Sequence, residues 1–308
     1  MKLERLLTVF AAASIAMATA RAEVLPVSGV YPARSDAAAA LRSVAVDRFG
    51  GEDGTELSLA FEDALAKLAL DGTPWFRITT ATLDPGSAEG LLRGTANAEP
   101  QFEDYAEDRE ECVRDEKGSC TQDKRKFKVK CTRRTITLAA SVRLYDPQGL
   151  LLWSDRYSEE RRDSFCEDQE RPASFNTVVR ELAGRIASTA RFAFAPYRSA
   201  ETVRVNESRK ELDKPLADRF KAAVRLTKSD WPAACREWEA ISVLAPAHQP
   251  TLFNRGLCGE ALGNDSAADG LYRQLLELAP GSGPAREGLG RIAARSRAVA
   301  QIAAHERD

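Results

Sequence analysis

The side chains best equipped for chemistry in this 308-residue sequence are six cysteines and two histidines. Cys112, Cys120, Cys131, Cys166, Cys235 and Cys258 are even in number and widely spaced, with no C-x-x-C pair. In an exported chain that pattern predicts three disulfides; a zinc site built from the first four cysteines is the rival reading. Six cysteines allow fifteen pairings, and three if each pair stays within one domain. His248 and His305 have no nucleophile or ligand set beside them in sequence, so neither a Ser-His-Asp or Cys-His site nor a histidine metal site emerges. Carboxylates are too abundant for their proximity to mean acid–base catalysis. Asp47, at the end of the first strand, is the one acid placed where open α/β sheets bind ligands, and a solvated strand end is its commoner fate. Gly50-Gly51 lacks the Gly-Lys-Ser/Thr ending of a phosphate loop and the G-x-G-x-x-G spacing. Asn206-Glu207-Ser208 matches a glycosylation acceptor, a frequent chance match. No catalytic residue, cofactor or metal site is expected. Trp75, Trp153, Tyr145 and Tyr157 read as packing residues.

Export is inferred from residues 1–22. Lys2 and Arg5 precede an apolar run, Leu6–Ala18, too short to span a bilayer with ease, and small-x-small cleavage sites end at Ala20 and Ala22. No cysteine near the cleavage point offers lipid attachment, and no other stretch reads as a membrane span. Removal of this segment takes away Lys2, Arg5, Arg21 and Glu4, leaving 41 basic and 45 acidic residues, a net charge of −4. That balance gives no reason to expect a nucleic-acid partner. The expected location is the periplasm, without a lipid anchor.

The elements that position these residues follow from periodicity. Ser43–Phe49 reads as a strand. Leu57, Ala60, Phe61, Ala64, Leu65 and Leu68 make one face of a helix capped by Thr55, and Trp75–Thr80 returns as a strand, a β-α-β start. Val24–Asp36 reads as a polar lead-in. Between Thr135 and Tyr157, Ile136, Leu138, Ala140, Val142 and Leu144 alternate with polar residues. Asp146-Pro147-Gln148-Gly149 then suits a type I turn into a second strand. Phe175, Val178, Val179, Leu182, Ile186 and Ala190 form a helix face, Thr202–Val205 a last short strand, and Asn206–Lys214 a linker.

Upstream of the hairpin, Glu103, Asp104, Glu107, Asp108, Glu110 and Glu111 precede Lys124, Arg125, Lys126, Lys128, Lys130, Arg133 and Arg134. The plainer reading is an antiparallel ribbon whose acidic and basic strands neutralise each other; the sharper one is a docking surface. Apolar positions are odd-numbered up to Cys131 and even-numbered from Ile136, which predicts a bulge near Thr132-Arg133-Arg134. A strand through Gln122–Tyr145 would extend roughly 80 Å, against a radius of gyration of about 16 Å for such a domain, so it must bend or project. Register about the turn at 146–149 brings Cys131 near Cys166, and Cys112 and Cys120 flank the upstream turn. Cys112–Cys120 and Cys131–Cys166 are the expected pairs.

The carboxy-terminal part repeats at 34 residues: Ala234/Ala268, Trp238/Tyr272, Leu244/Leu278 and Pro246/Pro280. With Ala222 and Gly256 these residues resemble the tetratricopeptide repeat family. The resemblance implies stacked helix pairs over 215–308, a third partial repeat at Gly290, and a final helix bearing Arg291, Arg295, Arg297 and Glu306 that caps the stack. It places Arg219, Leu226, Phe253, Leu257, Glu260 and Arg291 toward a concave, partner-binding groove. It also makes Cys235 and Cys258 neighbours, either bridged or two buried thiols. The same repeats could instead pack on the first domain.

Ser43–Phe49, Trp75-Phe76-Arg77-Ile78 and Arg143–Asp146 with Gly149–Ser154 resemble, more weakly, the CsgG-like curli-secretion family and the TolB amino-terminal module. That resemblance implies a non-enzymatic envelope module that assembles with partners. The lysine-rich ribbon is too charged for the lipid-facing hairpins of its pore-forming members.

The reading that results is an α+β protein. Residues 23–205 form a β-α-β start and a long antiparallel hairpin sheet with helices on one face. A linker at 206–214 leads to helical repeats over 215–308. The function expected is a periplasmic protein-interaction adaptor, with oligomerisation open. The alternatives are a component of an outer-membrane secretion complex and a small-ligand-binding or hydrolytic protein.

Overall fold

The computed structural model describes residues 23–80, 88–114 and 120–307, with backbone alone at 80 and 120–122. The expected signal peptide lies outside the described residues. The elements in chain order are β1 (Val24–Tyr31), α1 (Asp36–Ala39), β2 (Ser43–Val46), α2 (Gly54–Ala66), β3 (Ala69–Leu70), β4 (Thr73–Pro74), β5 (Arg77–Thr80), β6 (Gly90–Arg114), β7 (Cys120–Tyr145), β8 (Leu151–Cys166), α3 (Phe175–Ala190), β9 (Tyr197–Arg204), α4 (Lys214–Leu226), α5 (Trp231–Leu244), α6 (Gln249–Ala261), α7 (Asp265–Leu278) and α8 (Gly283–His305). The fold is mixed α and β with a carboxy-terminal helical region.

Two compact units are present among the described residues, and neither is one continuous stretch of chain: 29–199 joins 293–307, and 23–28 joins 200–292. The boundaries expected from sequence, 23–205 and 215–308 with a linker at 206–214, follow the chain continuously.

The first of these units is built on a sheet of order β5-β2-β6-β7-β8. β2 runs parallel to both β5 and β6, so β2-α2-β5 is the expected β-α-β unit. Side chains alternate across a strand, and one face is apolar: Val44, Val46, Leu92, Ile136, Leu138, Val142 and Leu144 are all fully buried. Leu57, Phe61 and Leu65 of α2 and Val178, Leu182 and Ile186 of α3 close over that face. The spacing of four residues along each helix is what places them on one stripe. Ser174 caps α3 by accepting the Thr177 N–H at 3.2 Å. The cap of α2 is Asp53 rather than Thr55, and its carboxylate is turned away to accept the β6 N–H of Ala98 at 2.7 Å. The end of α8 belongs here too. Gln301 bonds Ala33 N and O at 2.8 and 3.0 Å, Arg297 pairs with Asp36 at 2.8 Å, and the His305 ring stacks on Trp75 at 4.0 Å. The part of α8 from Ala293 therefore belongs to this unit, a role beside the capping one that the repeat resemblance implies.

The turn Asp146–Gly149 forms as its residues dictate. Gly149 N donates to Asp146 O at 3.0 Å, and the Asp146 carboxylate accepts the N–H groups of Gln148 and Leu150 at 2.9 and 2.7 Å.

Two further expectations fail. The lead-in at 24–36 contains strand β1, with Leu25 and Val27 fully buried; Pro26 and Gly29 hide its alternation. The bulge near Thr132–Arg134 is absent. β7 pairs with β6 without a shift from Leu91↔Tyr145 to Cys112↔Lys124, and with β8 from Leu144↔Trp153 to Cys131↔Cys166. The β7–β8 irregularity sits beside the turn, between Leu144 and Tyr145. Leu91–Cys112, whose apolar pattern is the least regular in the chain, lies within the single 25-residue strand β6.

Gly51 is the tightest backbone constraint. Its φ is +86°, and a Cβ there would stand 2.2 Å from the Ala96 carbonyl. Gly51→Ala is expected to destabilise the sheet unit by about 1–3 kcal/mol, read as a lower urea midpoint in tryptophan fluorescence.

Candidate functional site

The candidate site is the outer part of β6 and β7. β7 is 26 residues long, roughly 85 Å when extended, and α2 and α3 cover only its inner rows. Beyond Arg134 the strands continue as an arm. The charge runs meet as the plainer reading expects. Glu103 pairs with Arg133 at 2.7 Å, Glu110 with Lys124 at 3.0 Å and Lys126 at 3.6 Å, and Glu111 with Arg125 at 2.5 Å. Exposed pairs of this kind contribute about 0–1 kcal/mol each, so they do not hold the arm by themselves.

A second buried cluster does more. Val129, Cys131 and Cys166 are buried with Tyr105 packed on them, on the face of β7 opposite the helices. The Cys131–Cys166 disulfide joins directly opposed residues, with Cα atoms 3.9 Å apart. The Arg133 guanidinium lies 5.4 Å from the Tyr105 ring centroid, and Arg109 reaches Asp168 at 2.5 Å beyond the end of β8. The odd-numbered apolar set therefore has its own cover on the far side of the sheet, and no bulge is needed.

The change of face is completed by Arg134, first of the even-numbered residues under the helix layer. Its side chain keeps 10% exposure and donates to Asp163, 13% exposed, at 2.7 Å and to Ala173 O at 2.7 Å. Burial pushes the Asp163 carboxyl up, but hydrogen bonds from Arg134 and Arg161 outweigh it and hold the group below its ordinary value.

A hollow of about 740 Å3 opens where β8 ends, lined in part by Tyr105, Lys130, Phe165, Glu167 and Arg171. Glu107, Cys131 and Cys166 bring ligand atoms within 4.8 Å of one another. Both sulfurs are committed to the disulfide, so this cluster has no thiolate to offer a metal. Cys112 is also disulfide-bonded; its expected partner Cys120 has its side chain outside the described residues.

In the helical unit, Cys235–Cys258 is the second described bridge, joining α5 to α6 with Cα atoms 5.7 Å apart. The residues expected on a partner groove are differently placed. Phe253, Leu257 and Glu260 are buried. Glu260 accepts from Tyr272 Oη at 2.7 Å and pairs with Arg291 at 2.5 Å, and Arg291 also lies 3.6 Å from Glu201. Leu226 packs on the same core, and Arg219 pairs with Glu237 at 3.0 Å. Leu25, Val27, Val203 and Val205 share that core. The fully buried Asn254 reads both backbone groups of a single residue of the chain itself: Asn206 N donates to its Oδ1 at 2.8 Å and its Nδ2 donates to Asn206 O at 2.9 Å. Asn254 escapes the sequence reading, and Asn206 enters it only as the start of a linker and a chance glycosylation match, because neither type nor spacing marks a backbone-reading asparagine.

The remaining candidates are structural. Asp47 pairs with Arg93 at 3.0 Å. Trp75 Nε1 donates to Ala39 O at 3.2 Å, and Trp153 packs edge-on against Phe194 at 4.8 Å. His248 is buried, with Nδ1 2.7 Å from Thr251 Oγ1 and its ring edge-on to Phe220. Burial holds its pKa below the ordinary histidine value.

No family model matches the chain. No curated protein matches it either. Among solved structures, a PelC variant dodecamer from Paraburkholderia phytofirmans aligns at 14% identity over 56% of this chain and 98% of that one, with a TM-score of 0.26. A second PelC dodecamer from the same organism aligns at 15% identity over 54% and 96%, with a TM-score of 0.23. Similarity at this level assigns neither fold nor function.

Two predictions follow from these contacts. Asp163→Asn leaves the Arg134 charge nearly buried without its counter-ion and is expected to cost about 3 kcal/mol, measured by chemical denaturation. For His248 the folded-state pKa lies below the unfolded value of about 6.5, so its contribution is present above that pH and is lost as pH falls through and below it. The thermal midpoint of the wild type is expected to drop more steeply below pH 6.5 than that of His248→Asn.

Proposed function

We propose that this protein is an exported periplasmic adaptor that engages a protein partner through its β6–β7 arm. The observation that carries the reading is the arm itself. Two strands, β6 and β7, continue far past their helix cover, anchored at their base by a β7–β8 disulfide and a private apolar cluster. An isolated two-stranded ribbon is marginal in water, so order maintained this far from the main core implies a use for the surface. Two bridges among the described residues agree with an oxidising compartment. No helix among the described residues is long and apolar enough to cross a membrane. On this reading α4–α8 form a tetratricopeptide-like stack whose concave side is used internally, and the partner contact moves to the arm, where Phe102 and Phe127 are 64% and 36% exposed.

The test is site-specific photo-crosslinking in cells. A photoreactive residue at Phe127 or Phe102 is expected to capture a discrete partner. The same residue at Leu59, exposed on α2 in the sheet unit's helix layer, is not. Capture from Leu59 alone would overturn the arm reading.

A further inference from the structure

β7 outlasts β8. β8 stops at Cys166, opposite Cys131, while β7 continues outward through Val129, Lys128 and Lys126 to Lys124. A strand turns the backbone N–H and C=O of alternate residues toward the same neighbour. Lys130 O accepts from Glu167 N at 3.0 Å, just past the end of β8, so even-numbered residues of β7 face the β8 side. Lys126 and Lys128 therefore direct both backbone groups into the lane that β8 leaves empty. Among the described residues no strand occupies it.

The side chains sort with the same parity. Lys124, Lys126, Lys128 and Lys130 stand on one face of this exposed edge. Lys124 and Lys126 share one carboxylate, Glu110. Lys128 and Lys130 have no ion pair among the described residues, although Asp108 sits across from Lys128 on β6. Phe127 and Val129 stand on the other face, and the hollow lined by Lys130, Phe165 and Arg171 lies at the head of the lane.

Resting on the arm reading above, we propose that this lane accepts an extended acidic segment of a partner protein as an added strand. Backbone pairing would supply the affinity and the lysine row the choice of sequence. A second copy of the chain does not fit, because pairing lane to lane would set lysine against lysine, which is destabilising. Lysines on an open edge also keep unwanted strands away. That alternative role predicts no binding of an acidic strand.

The experiment uses the full oxidised chain and a fluorescein-labelled ten-residue peptide alternating glutamate and threonine, followed by anisotropy. Saturable binding that falls with added salt is expected. Lys128→Pro removes a donor that faces the lane and leaves the β6 ladder intact, and should weaken binding at least tenfold. Lys128→Glu should do the same through charge. Both variants are checked for the wild-type circular dichroism spectrum and the Cys131–Cys166 link. A peptide with alternate N-methylated amides should not bind. Equal binding of the N-methylated peptide, unchanged binding by Lys128→Pro, or equally strong competition by polyphosphate overturns strand addition. Failure of the peptide to bind while Phe127 still crosslinks a partner overturns the lane alone. Failure of both overturns the arm reading as well.

Discussion

The crossing point on β7, between Cys131 and Arg134, is the constraint on which the sheet unit depends. A strand can bury one face along its whole length only if its cover does too. Here the helix layer ends, and the strand, without slipping or bulging, begins to bury its other face. Cys131–Cys166 fixes the register on one side of the crossing, and Arg134–Asp163 closes the helix layer on the other. Without these two contacts the inner rows would still form a sheet against α2 and α3. The outer rows would keep only exposed ion pairs and a cluster too small to hold them.

The interior of the sheet unit was legible from local chemistry. The alternation at Ile136–Leu144, the Asp-Pro-Gln-Gly turn and the helix faces of α2 and α3 all agree with their final settings, which is the consistency expected of a well-specified core. The pairing of acidic with basic strand and the Cys131–Cys166 link were readable from charge order and register arithmetic. The bulge was misplaced for a physical reason. A shift of apolar parity looks the same in sequence whether the strand slips or the cover changes sides, and only the second cover, drawn from Tyr105 and Cys166, decides it. β1 was missed because Pro26 and Gly29 interrupt a pattern that tertiary burial of Leu25 and Val27 overrides.

The helical unit shows the opposite balance. Its 34-residue spacing is plain, and Tyr272 is so closely bracketed that a Cβ at Gly256 or Gly288 would stand 2.5 or 2.3 Å from the ring. What the spacing could not reveal is what lies on the face it creates. Asn254 reads the backbone of Asn206, and residues 23–28 and 200–292 belong to the same compact unit. Of the side chains expected on an open groove, Phe253, Leu257 and Glu260 are buried.

The unbroken β6–β7 ladder carries a consequence for how the chain reaches this state. Slipping the outer rows by two residues would set Glu110 beside Lys128 and Asp108 beside Lys130, so the charge pattern is nearly blind to that error. The tip, closest in sequence, has the smallest loop-closure cost and would zip earliest, while the information that forbids the slip lies in the inner rows, around Leu92↔Leu144 and Ala98↔Leu138. Fidelity then depends on order of events. Cys131–Cys166 ties β7 to β8 and leaves the β6–β7 alignment untouched, so the inner rows alone decide where the charged rows come to rest.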